Sequence, residues 1–361
     1  MAADADPALE TLFLPFVEGR LAWPEGGVLF LRARDGWPLH RQPTHGLVCE
    51  QTFKPDADAL QRSGLTVCND GALADAADGE LPAQGKRYPL VLLLPPRQRD
   101  ESRALMARAL DQCAPGGRVL ACVANNEGAK SAEDDLRRVA GAVSTLTKNK
   151  CRVFWTTPRS APPQADAETL IAQWRGLDRI RPVADGRLHS RPGVFAWDRV
   201  DPASALLVEH LPADLAGRAA DLGAGIGYLG LELLARCPRI TALDLYEAEA
   251  RALELARRNL QPCGDRVALG FHWHDVTSGL PAAYDVIISN PPFHAQGRAE
   301  RPDIGRRFIA AAARALRPGG RLWLVANRHL PYEAVLHEHF GAVRDVATRG
   351  GFKVVEAVRG R

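Results

Sequence analysis

The chain repeats itself. Residues 88–96 read YPLVLLLPP and residues 284–292 read YDVIISNPP, with seven positions from the tyrosine to the first proline of the closing pair in both. Downstream, APGGRVLACVAN (114–125) is matched by RPGGRLWLVAN (317–327), each a Pro-Gly-Gly turn that opens an apolar strand. Between these blocks both copies carry an alanine- and arginine-rich helical pattern. Strand, helix, glycine turn, strand is the βαβ signature, and the runs are apolar on both faces. The expected fold is therefore α/β, with two tandem, mostly parallel sheets covered by helices. At 361 residues the chain exceeds what one ordinary core supports, which agrees with two domains. The C-terminal stretch GAVRDVATRGGFKVVEAVRG reads as two further strands joined at Gly350-Gly351, an antiparallel hairpin closing the second sheet.

The copies differ where chemistry would sit. The first ends its strand LLPPR, so Leu94 stands where the second has Asn290, and Arg97 stands where it has Phe293. Its opening strand, GGVLFLRARDG (26–36), leads into no glycine-rich loop. Residues 1–157 are read as a degenerate copy without its own catalysis, residues 158–185 as a Pro- and Ala-rich linker, and residues 186–361 as the catalytic domain. No apolar stretch approaches the ~20 residues of a membrane span. The acidic N-terminus has no basic region followed by an apolar core, so no secretory signal is expected. Seven cysteines without a CxxC pair point to reduced thiols in a cytoplasmic protein, with no metal site. The net charge of +3 decides nothing about partners, but its distribution is uneven. From Arg298 to Arg321 there are seven arginines, Arg298, Arg301, Arg306 and Arg307 among them, against Glu300 and Asp303. They read either as a solvated helix face or as contacts to phosphates.

RAADLGAGIGYLGLELLARC (218–237) runs from a short strand through Gly223, Gly225 and Gly227 into a helix. Glycines there let a ligand approach the backbone, and the helix start offers unpaired N–H groups. The sequence Gly225-x-Gly227-x-x-Gly230 also satisfies a dinucleotide-binding pattern, which alone is weak. Asp221, just before the glycines, argues otherwise: it would repel a pyrophosphate and suit an ammonium group, unless it only caps the turn. Asp244, 17 residues beyond Gly227, is expected at a strand tip where it accepts from a ribose diol. Asp275, in FHWHDV, is a candidate acceptor for an adenine amino group or else an ordinary loop carboxylate. His272 and His274 alternate on a strand with no third ligand nearby, which speaks against a metal pair. The ligand with a ribose, an adenine and an amino acid but no phosphate is S-adenosylmethionine.

IISNPPFH (287–294) answers what such a donor would serve. Two prolines cannot continue a ladder, so the strand stops and presents Asn290. An exocyclic amine on a nucleobase is a poor nucleophile, because its lone pair is delocalised into the ring. Acceptors on both of its N–H groups favour pyramidal nitrogen and aim the lone pair at the methyl. Asn290 would supply its side-chain oxygen, Pro291 a backbone carbonyl, Pro292 stiffness, and Phe293 a face for the base.

On these residues the sequence resembles a known family. Asp221-x-Gly-x-Gly-x-Gly, Asp244 and Asn290-Pro-Pro-Phe-His294 are similar to class I methyltransferases acting on planar nitrogen. The closer resemblance, over most of the chain, is to the two-domain bacterial ribosomal RNA guanine-N2 methyltransferases (the RsmC/RlmG group). RPGVFAWDRVD (191–201) resembles their lead-in segment, VANRHLPYEAVLHEHFG (325–341) and GGFKVVEA (350–357) their C-terminal end, and NNEGAKSAEDDL (125–136) part of their silent N-terminal domain. Ala203 departs from the glycine usual after the lead-in's Asp-x pair. The resemblance implies two Rossmann-like class I methyltransferase domains and methyl transfer to the guanine 2-amino group of ribosomal RNA, 16S foremost. It also implies a first half used for folding and RNA binding, and a monomer. Adenine N6 and a protein glutamine amide are alternative acceptors for such a clamp. An NAD-dependent oxidoreductase is the alternative outside methyl transfer.

Overall fold

The repeat in the sequence is a repeat of topology. The computed structural model describes residues 6–69, 86–159, 165–292 and 302–360. They divide into two compact units, residues 1–179 with 191–193, and residues 180–190 with 194–361.

In the first unit the strands are β1 (Val28–Leu31), β2 (Leu47–Glu50), β3 (Thr66–Cys68), β4 (Tyr88–Leu93), β5 (Cys113–Ala124), β6 (Val143–Lys148) and β7 (Cys151–Thr156). They lie in the order β3-β2-β1-β4-β5-β7-β6. The second unit begins with a small antiparallel pair, β8 (Arg181–Val183) and β9 (Leu188–Ser190). Its main sheet holds β10 (Ala216–Leu222), β11 (Arg239–Glu247), β12 (Ala268–Trp273), β13 (Tyr284–Ser289), β14 (Leu316–Asn327), β15 (Ala342–Arg349) and β16 (Phe352–Val358). Their order, β12-β11-β10-β13-β14-β16-β15, is the same permutation. In both sheets five strands run parallel and the last two close as an antiparallel hairpin. The β15–β16 turn is Gly350-Gly351, both at positive φ, the geometry of a two-residue hairpin.

Even irregularities are duplicated. The parallel register slips after Tyr88 in one sheet and after Tyr284 in the other. The second glycine of each Pro-Gly-Gly turn sits against the strand alongside. A Cβ on Gly117 would lie 2.8 Å from the Pro89 carbonyl oxygen, and one on Gly320 would lie 3.2 Å from that of Asp285. Side chains at period two feed separate cores on the two faces. In the second sheet Ala219, Leu243, Leu245, Val286 and Ile288 pack on one side, and Ala220, Leu222, Tyr246 and Ile287 on the other.

One boundary differs from the sequence expectation. Within the stretch 158–185, read as a linker, Ala165–Arg175 is a helix. Its Ile171 and Trp174 are buried in the first unit's core, and the Arg103 guanidinium lies 5.2 Å from the Trp174 ring centroid. The Pro- and Ala-rich composition hid an amphipathic helix whose apolar positions are few but large. Trp174→Ala should therefore lower the unfolding free energy of the first unit by about 3–5 kcal/mol, as for a buried aromatic deletion. Urea denaturation followed by intrinsic fluorescence measures it, and a loss below about 1 kcal/mol would make the helix a bystander.

Candidate active site

The second unit's site is assembled by one pairing. β10 and β13 run parallel with Leu222 opposite Ser289, and the buried Ser289 hydroxyl donates to the Leu222 carbonyl at 2.7 Å. The residues that follow, the glycine loop on one strand and Asn290 on the other, therefore leave the sheet side by side. The loop is also tied to β11. The N–H groups of Gly223 and Ala224 donate to the Tyr246 carbonyl at 2.9 and 3.1 Å. Gly225 N–H donates to the Glu247 carboxylate at 2.7 Å, and Glu249 N–H to its other oxygen at 2.8 Å. Gly227, at φ +85°, lies against the helix Ala250–Leu260, where a Cβ would meet Leu260 at 2.4 Å. Gly225 has open space on its outer side, with no atom within 4 Å of a built Cβ. A ligand can rest there against bare backbone.

Period two turns Asp221 under the helix Tyr228–Arg236, where it is completely buried. One carboxylate oxygen accepts from Gly230 N–H at 2.9 Å, and the other has no partner. Burial pushes the carboxyl up to about 7, against the opposing pull of the Gly230 N–H. Burial likewise raises Glu247, outweighing its backbone bonds. The Gly225 N–H is thus engaged by a carboxyl of the chain itself.

Asn290 directly follows β13 with its amide oriented by chemistry. Its Nδ2 donates to the Asp201 carboxylate at 3.0 Å and to the Ser204 hydroxyl at 2.9 Å. A carboxylate can only accept, so the nitrogen must face Asp201 and the oxygen must face away from it. That oxygen is buried and has no partner. Asp201 also caps the helix Pro202–His210 by accepting from Ser204 N–H at 2.8 Å. Asn290, Asp201 and Ser204 line an open cleft together with Gly223 through Ile226 and with Phe195 and Arg199 of the lead-in.

Residues 185–356 match the family model of the methyltransferase small domain. The ribosomal RNA small subunit methyltransferase C of Pseudomonas aeruginosa (strain LESB58) is 33% identical over 274 residues, 74% of this chain and 78% of that protein. Its counterpart in Stutzerimonas stutzeri is 34% identical over 289 residues, 78% and 82% of the two chains. This chain belongs to the ribosomal RNA small subunit methyltransferase C family. A solved member, the T. thermophilus 16S ribosomal RNA N2-guanosine methyltransferase in complex with AdoMet and guanosine, superposes with a TM-score of 0.77 at 26% identity. The match covers 100% of this chain and 93% of that one.

In this methyltransferase the expected site residues fall into three groups. Gly223, Gly225 and Asn290 line the cleft together, and Gly227 turns the loop into its helix. Pro291 follows Asn290 in a buried position, and Pro292 is exposed. Of the three carboxylates, Asp244 is corrected. Asp221 accepts from Gly230 N–H at the helix start, the bond that the turn-capping alternative expects. Asp275 likewise accepts from Thr277 N–H at 2.8 Å as the cap of a short turn of helix. Asp244 lies within β11, three residues short of its end, with Arg218, His272 and the Tyr284 hydroxyl bonded to it. Burial opposes its ionisation, but those bonds win and hold its carboxyl below the usual range. The acid at the strand tip is Glu247. His274, meanwhile, bonds the Gly279 carbonyl. Phe293, Arg298 and Arg301 lie outside the described residues. Arg306 and Arg307 are exposed on the helix Pro302–Ala315. Asp201 and Ser204 were missed, although the Asp-Pro-x-Ser helix-start pattern in DPASALL was readable.

The state of Asp221 has a consequence for stability. Its folded pKa is raised, so the folded protein keeps a proton that the unfolded chain releases above about pH 4. The stabilisation is complete below that and lost as pH rises towards about 7, a loss on the order of 4 kcal/mol. Asp221→Asn keeps an acceptor for Gly230 and cannot titrate. The stability difference between this variant and wild type should shift in favour of asparagine from pH 5 to pH 8, read by chemical denaturation at each pH. A pH-independent difference would mean that Asp221 is ionised throughout.

Proposed function

We propose that the second unit transfers a methyl group from S-adenosylmethionine to the exocyclic N2 amine of a guanine in small-subunit ribosomal RNA. The observation that carries this is the Asn290 side-chain oxygen, a buried acceptor with no partner, held at the cleft by bonds from its own nitrogen. When bound, S-adenosylmethionine supplies an electrophilic methyl on a sulfonium sulfur that leaves as a neutral thioether. The bare backbone face at Gly225 and the carboxylate of Glu247 at the end of β11 suit its amino-acid and ribose parts.

Asn290 and the Pro291 carbonyl then act on the acceptor. Each takes one N–H of the flipped base's amine, so the nitrogen lone pair leaves conjugation and points at the methyl carbon. This stabilises the positive charge that develops on nitrogen as the bond forms, and the spare proton passes to solvent once the amine is methylated. The base must leave its stack to reach the clamp. Arg306 and Arg307 hold flanking phosphates. The first unit contributes RNA affinity and assists folding, and the protein acts in the cytoplasm as a monomer.

Asn290→Ala should reduce kcat for methyl transfer to small-subunit RNA by about 10²–10³, the usual loss for one transition-state hydrogen bond. S-adenosylmethionine affinity by calorimetry should hold within about twofold. Near-normal turnover would refute the clamp. Arg306→Ala with Arg307→Ala should flatten the slope of log affinity for RNA against log salt by about 1.4, roughly 0.7 per single-strand phosphate contact. An unchanged slope would remove this helix from the RNA interface.

A further inference from the structure

The lead-in loop carries features that the clamp does not use. Phe195 is 62% exposed, one of the few large apolar side chains left open among the described residues, and it lies on the wall of the cleft that Asn290 closes. Its neighbour Val194 is buried, so the chain is anchored immediately before the ring. Its other neighbour, Ala196, has φ +49°, a left-handed conformation that costs an alanine about 1 kcal/mol. A turn closes there, with Arg199 N–H donating to the Ala196 carbonyl at 3.2 Å. The Arg199 side chain lines the same cleft and is 69% exposed, and its one described ion pair is to its exposed neighbour Asp198 at 2.9 Å.

An aromatic ring held open to water wastes the burial that usually stabilises such a residue. A strained turn that keeps it at the mouth of a cleft, with a cation beside it, has the chemistry of a nucleotide: a planar base and a phosphate. Resting on the guanine-methylation reading, we propose that Phe195 stacks on the face of the flipped base presented to Asn290 while Arg199 pairs with that nucleotide's phosphate. The lead-in is then a second wall of the substrate pocket, opposite the strand that supplies the clamp, and it sets base affinity without taking part in bond making. Phe195 is a positioning residue for the acceptor, and the donor's site does not depend on it.

The test uses full-length enzyme, tritiated S-adenosylmethionine and small-subunit RNA from cells lacking the gene. Phe195→Ala should raise KM for RNA about tenfold, within the range for loss of one base stack. Its kcat at saturation should change much less, and its affinity for S-adenosylmethionine should be unchanged. Phe195→Tyr, which keeps the ring, should restore KM to within about threefold. Arg199→Ala should raise KM and reduce its dependence on salt. Unchanged KM in Phe195→Ala, failure of tyrosine to rescue, or weakened binding of S-adenosylmethionine would each overturn the stacking role. Wild-type enzyme that leaves this RNA unmethylated would overturn the guanine reading itself, a separate outcome.

Discussion

The register of a single parallel strand pair sets everything that the second unit can do. With Leu222 opposite Ser289, the glycine loop and Asn290 emerge at the same level of the sheet, and the Ser289 hydroxyl bonds the Leu222 carbonyl across the pair. A slip of one residue would turn Asn290 to the opposite face and Ser289 out of reach. Strand ends in open α/β sheets are where ligands bind, because there the backbone departs from its ladder and loops diverge. Here the departure is enforced on both sides, by positive-φ glycines after Leu222 and by prolines after Asn290.

The first unit shows the same scaffold without that outcome. Leu31 opposes Leu93 just as Leu222 opposes Ser289. After Leu31, however, comes Arg32 at φ +53°, which pairs with Glu101 at 3.1 Å. After Leu93 comes Leu94, buried among apolar neighbours. A cationic side chain thus occupies the position of Gly223, and a methyl-bearing side chain the position of the amide. The sheet order survived because it is held by burial spread over many residues, whereas the site needed particular atoms at a few positions.

Much of this was legible in the sequence because it is carried by local patterns. The tandem sheets, the C-terminal hairpin at Gly350-Gly351, the glycine loop and the asparagine at the end of β13 all follow from punctuation by glycine and proline. What was not legible depends on strand length and on distant partners. Asp244 looked terminal, but β11 runs on through Leu245 and Tyr246 to Glu247 because both intervening residues are buried, one on each face. Asp201 could be recognised as a helix cap, yet its second bond joins residues 89 positions apart and has no local signature. The helix Ala165–Arg175 was hidden for a related reason, since Trp174 and Ile171 stabilise it only against a core that lies earlier in the chain.

The second site-forming constraint is the treatment of polar atoms. Native interiors leave few buried acceptors unpaired, because each forfeits about 1–3 kcal/mol. Among the described residues, the second unit keeps one oxygen of Asp221 and the oxygen of Asn290 unpaired. They differ in kind. The Asp221 carboxyl can relieve its burial by staying protonated, so its orphan oxygen is a state of ionisation that pH alters. An amide has no such escape. The Asn290 oxygen stays unbonded because Asp201 and Ser204 both claim the nitrogen, and turning the amide over would set its oxygen against a carboxylate. The helix cap thus has a second use: the carboxylate that accepts from Ser204 N–H also accepts from the Asn290 amide and fixes which way its oxygen faces.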